Sequence, residues 1–218
     1  MFPRVIIQIF LIISFFIFGY NITYIILTKK RNKNNNNNEE INNKLKETRL
    51  FARIGVLFLN VFIILVCGNI FFFEPIVVII PRINLGICDE IVQIVGLTLV
   101  IGGNITLYLA YHELGIYWSY PIDGIKKRKK LVTSGIYNKI RHPVYLSFNL
   151  FCIGFIMILL DWLLLILYII GAIGLYFQAI DEEKILVEYF KEEYVKYKLN
   201  TGRFFVKYTK SKDVIFRG

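Results

Sequence analysis

The sequence predicts an all-α integral membrane protein with about five transmembrane helices. Three observations predict this class. Apolar residues make up 56% of the 218 residues, they gather in long runs, and basic residues fill the segments between the runs. The mean hydropathy of +0.56 agrees with this pattern. Soluble domains carry fewer apolar residues, so lipid is the expected solvent of the runs.

Four apolar runs reach the length of about 20 residues that a helix needs to cross a bilayer. They cover residues 5–27, 54–73, 91–111 and 145–179. The first is not followed by a small-residue cleavage site, so we interpret it as a retained anchor rather than a signal peptide. The last is too long for one span, and Asp161-Trp162 in its middle indicates a tight turn. It is therefore interpreted as a helical hairpin that forms the fourth and fifth spans.

The charges define an orientation. The net charge is +10, and basic residues concentrate between spans one and two, between spans three and four, and after span five. The opposite side holds only Arg4 and Arg82. Under the positive-inside rule the N-terminus is outside and the C-terminus is cytosolic. Basic residues dispersed by topology in this way do not form a nucleic-acid surface, so no nucleic-acid partner is expected.

Composition divides the chain into three units. Residues 1–50 hold the first helix and an Asn-rich stretch that predicts a disordered cytosolic loop. Residues 51–90 hold the second helix and an extracytosolic loop, and residues 91–218 hold three helices and a cytosolic C-terminal helix. The cysteines are widely spaced and accompany no histidine cluster, so no metal site is expected.

The first segment whose residues could form a functional site is 130–145. Gly135 permits a turn, and Pro143 suits the first position of a helix. Span four is therefore predicted to start at His142-Pro143, and its N-terminus would favour an anionic group. Tyr145 is placed to share a face with Arg141 or His142. The alternative is that Arg-His-Pro is only a topogenic charge followed by a helix start.

The second segment extends span five from Gln178 to Lys198. Its apolar residues follow helical periodicity and predict an amphipathic helix. A carboxylate pair, Glu182 and Glu183, lies near its start, just beyond the predicted bilayer. Adjacent helix positions point about 100° apart, so the two should do different jobs. The alternative is a solvated acidic patch.

Both segments carry a known pattern. Leu-Val-Thr-Ser-Gly-Ile-Tyr at 131–137 and Arg-His-Pro-Val-Tyr at 141–145 resemble the signature of the isoprenylcysteine carboxyl methyltransferase family. The resemblance covers roughly residues 90–205 and includes Leu114-Gly115 and Trp118-Ser119 upstream. Downstream it includes Glu182, Glu183, Leu186, Phe190, Tyr194, Tyr197, Arg203 and Phe204.

The resemblance implies S-adenosylmethionine in a cytosol-facing pocket, formed by the loop before helix four and the C-terminal helix. It also implies a methyltransferase core in 91–218 and the endoplasmic reticulum membrane. By position, the cofactor-binding residues are Lys130, Leu131, Val132, Tyr137, His142, Pro143, Val144, Tyr145 and Glu182. The candidate catalytic residues are Arg141 and Glu183.

Three positions depart from the family pattern. Gln178 stands where family members tend to carry an arginine proposed to meet the substrate carboxylate, so it is the candidate substrate-binding residue. Lysine at 129 or 130 replaces a histidine. Lys191 replaces a glycine that follows the conserved phenylalanine.

Three functions follow as hypotheses. The first is carboxyl O-methylation of a prenylated protein C-terminus, which needs no general base because a carboxylate is ionised at pH 7. The second is N-methylation of an amino phospholipid, which needs a base such as Glu183 or His142. The third is a non-catalytic membrane scaffold that retains the fold.

Overall fold

The computed structural model describes residues 8–14, 16–17, 20, 57–58, 60–69, 82–115 and 130–207, and within them the regular structure is helical. The Asn-rich stretch, most of the first predicted span, Trp118-Ser119 and the lysines of 126–129 lie outside these ranges. The main helices are α1 (Asn60–Asn69), α2 (Asp89–Leu114), α3 (Pro143–Leu159) and α4 (Trp162–Asn200). The all-α class is thus confirmed.

Two helices, α2 and α4, are long and apolar enough to cross a membrane, while α1 and α3 are shorter apolar helices. At 1.5 Å per residue, the 17 residues of α3 extend about 26 Å. Large apolar side chains remain exposed along α2 and α4, including Ile101, Ile105, Ile166 and Ile170. Such faces suit lipid. The total of five spans stays a prediction.

Small residues bring α2 and α3 into close contact. A Cβ on Gly96 would lie 2.7 Å from the carbonyl oxygen of Gly154, and one on Gly103 would lie 3.1 Å from that of Ser147. Gly102, by contrast, has no atom within 4 Å of the same position. An adjacent pair of glycines inside the third predicted span predicts close helix packing, and of Gly102 and Gly103 only Gly103 packs against α3.

The predicted turn at Asp161-Trp162 is confirmed. Leu160 takes a left-handed conformation with φ 53°, and Asp161 caps α4 by accepting hydrogen bonds from the backbone N–H groups of Leu163 and Leu164 at 2.7 and 3.2 Å. Its other oxygen accepts from Asn69 Nδ2 at 3.3 Å. The buried cap therefore also ties α1 to the hairpin.

The helix α4 is interrupted at Lys191, which has φ 49° and ψ −125°. Gly115, which ends α2, has nearly the same backbone conformation, φ 45° and ψ −124°. Glycine tolerates this region, whereas a side chain is strained there. The chain thus keeps a glycine-type backbone at the position where the family pattern has glycine, although the residue is lysine.

Replacing Lys191 with glycine should raise the thermal unfolding midpoint in detergent, because it relieves about 1 kcal/mol of backbone strain. Gly115→Ala is the matched control. No atom would crowd its new Cβ, so it should lower the midpoint through the backbone alone. A lower midpoint for Lys191→Gly would contradict the strained conformation.

Candidate functional site

The start of α3 is built by one glycine and one proline. Gly135 has φ 53° and opens the 3-10 turn Gly135–Asn138, and a Cβ there would overlap the carboxylate of Glu113. Ser134 Oγ donates to the same carboxylate at 2.8 Å. His142 is the N-cap and Pro143 the first residue of α3. The helix start predicted from the sequence is therefore confirmed.

A short parallel pairing joins this segment to the end of the chain. The N–H of Gly202 donates to the carbonyl of Lys139 at 3.2 Å, and the N–H of Arg141 donates to the carbonyl of Gly202 at 2.8 Å. The N–H of His142 donates to the carbonyl of Arg203 at 3.0 Å. Residues 139–142 and 202–203 thus form one unit directly before α3.

The carboxylate of Glu183 lies at the centre of this unit and is almost fully buried, with 2% of the residue exposed. Arg203 binds it side-on, with Nε 2.9 Å from Oε1 and Nη2 3.0 Å from Oε2. Arg141 Nε donates to Oε1 at 3.1 Å, and Lys198 Nζ lies 3.2 Å from Oε2. His142 Nε2 is 3.4 Å from Oε1, without hydrogen-bond alignment.

These cations determine the charge state of Glu183. Burial alone would raise its pKa, but the neighbouring His142, the hydrogen bonds of Arg203 and the charge of Arg141 outweigh burial and hold the pKa well below its usual range. Glu183 is therefore ionised at neutral pH. A buried carboxylate of this kind depends on its partners, because an unpaired charge away from water is very costly.

Glu182 has different partners and is more open, with 18% of its side chain exposed. Tyr145 donates its hydroxyl to Glu182 Oε2 at 3.0 Å, and His142 Nδ1 lies 3.7 Å from the same oxygen. The rings of His142 and Tyr145 stack with centroids 5.4 Å apart. The two adjacent glutamates share His142 as a neighbour but otherwise have different partners, in keeping with their different directions on the helix.

An aromatic layer supports the loop before α3. Leu131 packs against Leu186 and Tyr194. Tyr197 donates its hydroxyl to the carbonyl of Tyr137 at 2.6 Å. Tyr194 is only 1% exposed, and its hydroxyl has no hydrogen-bond partner within the described part of the chain. A buried hydroxyl without a hydrogen-bond partner is uncommon, and a polar atom of a bound ligand could supply the missing partner.

The structure thus brings Arg141, His142, Tyr145, Glu182 and Glu183 together. The other candidates surround them in several ways. Leu131, Tyr137 and Pro143 are buried, Val132 and Val144 are half-buried packing residues, Lys130 is exposed, and Gln178 is buried one helical turn before Glu182. Their functional roles stay predictions. Within the described residues, no group of three or more His, Cys, Asp or Glu side chains is arranged to hold a metal ion.

Sequence reasoning missed two cations of the site, Arg203 and Lys198. Arg203 lies in the C-terminal block of the family pattern, and that position was the available signal. Its guanidinium lies over the ring of Tyr176, 5.3 Å from the centroid. Lys198 gave no signal beyond its helical register with Tyr194.

Glu183→Gln should lower stability by about 3 kcal/mol, the lower end for breaking a buried ion pair. A carboxyl with a lowered pKa stabilises the fold above its unfolded pKa of about 4.3. This contribution is lost as the pH falls through the lower folded value. The gap between wild type and variant should hold at neutral pH and narrow below about pH 4 in thermal unfolding.

Glu188→Gln, an exposed position on the same helix, is the control and should show no comparable loss. An equal effect at both positions, or a gap that is unchanged in acid, would contradict the role given to Glu183.

Comparison with known proteins identifies a family and individual proteins with similar sequences. Residues 95–188 match the model of the isoprenylcysteine carboxyl methyltransferase (ICMT) family. A protein-S-isoprenylcysteine O-methyltransferase of Saccharomyces cerevisiae is 34% identical over 118 residues, which are 53% of this chain and 49% of the relative. Its Xenopus laevis counterpart is 30% identical over 119 residues, 53% of this chain and 41% of the relative.

The chain thus matches less than half the length of each of these two relatives. The matched region nevertheless contains the start of α3, the hairpin and both glutamates of the site. In this region, the chain is similar to the isoprenylcysteine carboxyl methyltransferase family.

Proposed function

We propose that this chain is a membrane methyltransferase that transfers a methyl group from S-adenosylmethionine to the C-terminal carboxylate of a prenylated cysteine. The observation that carries the proposal is the charge arrangement around Glu183. Among the described residues, Arg141, Arg203 and Lys198 surround the carboxylate of Glu183, and the adjacent Glu182 supplies a second carboxylate. One positive charge is left over even with His142 neutral, and an anionic acceptor would balance it.

Carboxyl O-methylation suits a site whose residues position the acceptor and do not act as a general base. The acceptor carboxylate is already ionised at pH 7, so the site has only to hold the acceptor oxygen in line with the methyl carbon. Arg203 is the partly open cation, with 25% of its side chain exposed, whereas Arg141 is 8% exposed. Arg203 is therefore the better placed of the two arginines to attract a carboxylate.

N-methylation of a phospholipid amine is less well supported by the same residues. The ammonium group must first lose a proton, and a general base works best when its pKa lies near the working pH. The pKa of Glu183 is held far below that range by its cations. The surplus positive charge would also repel an ammonium acceptor. Of the two candidate bases for N-methylation, Glu183 and His142, only His142 remains, and it lies between two carboxylates.

Residues of α4 and of the start of α3 fit the proposed cofactor. On α4, Tyr194 offers a buried hydroxyl without a partner among the described residues, and Glu182 offers a partly open carboxylate. The N-terminus of α3 at Pro143 would attract an anionic group. When bound, S-adenosylmethionine supplies a methyl group on a sulfonium centre. These residues would hold its polar ends, and the stacked pair of His142 and Tyr145 would flank them.

The proposal includes the membrane setting. The apolar helices α2 and α4 would cross the bilayer, within a total of five spans, and the site would lie on the cytosolic side with the C-terminus. The proposed location is the endoplasmic reticulum membrane, where a prenylated C-terminus reaches the site from the lipid phase. Gln178 would line the acceptor side, one turn before Glu182.

Glu182→Gln should weaken S-adenosylmethionine binding about tenfold, the size expected for one charge-assisted hydrogen bond. His142→Ala should weaken it as well, because the stacked ring is lost. Calorimetry of the detergent-solubilised protein measures both, with Glu188→Gln as the matched control. Unchanged affinity in both variants would overturn the site assignment.

The function itself is tested with membranes that contain the protein, methyl-labelled S-adenosylmethionine, a farnesylated cysteine analogue and phosphatidylethanolamine. We expect label in the prenylated product, released by alkali as methanol, because methyl esters hydrolyse and methylamines do not. The rate should also be flat from neutral to mildly basic pH, since no proton has to leave the acceptor.

Alkali-stable label in the phospholipid would establish N-methylation instead. Cofactor binding without either product would leave a methyltransferase with another acceptor. No cofactor binding would favour the scaffold hypothesis.

A further inference from the structure

The last part of α4, after the interruption at Lys191, has two unlike faces. Tyr194 and Tyr197 pack towards the loop before α3, and Tyr194 is fully buried. Val195 and Leu199 are four positions apart and therefore share the opposite side of the helix. They are 45% and 62% exposed. Glu192 adjoins these two residues at the start of the stretch, and the described residues do not cover this side.

The chain beyond α4 enlarges this apolar side. Lys207 Nζ donates to the carbonyl of Leu199 at 2.7 Å, so the end of the described segment returns to the end of the helix. Phe205 and Val206, just before that lysine, are 77% and 57% exposed. We name Val195, Leu199, Phe205 and Val206 the apolar patch. Single exposed apolar residues are ordinary, but four grouped at one end of a helix mark an interaction surface.

Basic residues border the apolar patch. Residues 191–207 contain five basic side chains and two acidic ones, Glu192 and Glu193, which leaves a net charge of +3. Lys196 and Lys198 lie on the two flanks of the helical stripe, and both are exposed. An apolar stripe with lysines on its flanks is the pattern of segments that lie in the bilayer interface. In such segments the lysine stems bury while the charges reach the lipid phosphates. Here Lys196 takes this role, because the ammonium of Lys198 lies 3.2 Å from Glu183 Oε2.

We propose that the apolar patch docks on the surface of the bilayer and that its basic border selects anionic lipid. The helix that carries the patch is continuous in sequence with the apolar part of α4, so a membrane surface is the partner already closest to it. Each basic residue near an anionic surface adds to the attraction. The inference rests on the membrane location proposed above and is independent of methyl transfer.

Docking would act on the site through the backbone of the same segment. Arg141 Nη1 donates to the carbonyls of Lys198 and Thr201. Arg203, two residues further on, binds Glu183. Fixing the apolar patch on lipid therefore also fixes the carbonyls and the guanidinium that surround Glu183.

The test uses the photoreactive residue p-benzoylphenylalanine in the full chain, in nanodiscs of phosphatidylcholine with phosphatidylserine. One protein carries it in place of Leu199, on the apolar patch. The control carries it in place of Glu193, which is exposed on the same stretch of helix but points away from the patch. Both positions tolerate a large side chain because they are open. Mass spectrometry identifies what each label captures.

We expect several-fold more lipid adducts from position 199 than from position 193. The excess should fall in nanodiscs of phosphatidylcholine alone, and also with the added change Lys196→Glu, which alters the border without touching the site. Equal lipid capture at both positions would overturn the proposal, as would capture of residues 208–218 or of a second protein by position 199. An excess that is insensitive to both charge changes would overturn the selection of anionic lipid.

Discussion

The ion pairs of Glu183 hold together three stretches of chain that are far apart in the sequence. Arg141 comes from the segment before α3, Lys198 from the end of α4, and Arg203 from the segment that follows it. A buried carboxylate is stable only among cations. None of these stretches can therefore adopt its position in the site without the others. Folding of the C-terminal segment and assembly of the site are therefore a single requirement.

The two adjacent glutamates have different roles because only Glu183 is enclosed by cations. Glu183 is enclosed by charge and positions its neighbours, while Glu182 is the more open carboxylate and is held by the hydroxyl of Tyr145. A reaction that needs no proton acceptor suits this division, because the carboxylate at the centre is a poor base. Arg203 adds a further positive charge to this centre from the segment that follows α4.

Local signals were sufficient to predict much of the fold. Pro143 begins α3 and Asp161 begins α4, because a proline and a capping carboxylate act within one helical turn. The pair Gly102-Gly103 was predicted less well. Neighbouring positions differ by about 100° around a helix, so only Gly103 faces α3. Periodicity could not reveal this, since the direction of packing is set by the partner helix.

The long-range part of the site was not predictable in the same way. The pairing of 202–203 with 139–142 is made by backbone groups, which leave no pattern in side-chain types. Arg203 was part of the family pattern, but its pairing with Glu183 could not be read from the sequence. Lys191 is a third case, because its residue type indicates a continuing helix, whereas its backbone takes a glycine conformation. The sequence predicted one helix from Gln178 to Lys198, and the glycine of the family pattern at this position was the signal that could have indicated the interruption.

Amide hydrogen exchange at Arg141 and His142 measures whether Glu183 assembles the site. Both N–H groups donate to carbonyls of the C-terminal segment. In Glu183→Gln these two amides should exchange much faster than in the wild type, while the amides in the middle of α3 keep their protection. Unchanged exchange at Arg141 and His142 would show that the segment is held without the carboxylate, and would contradict the account.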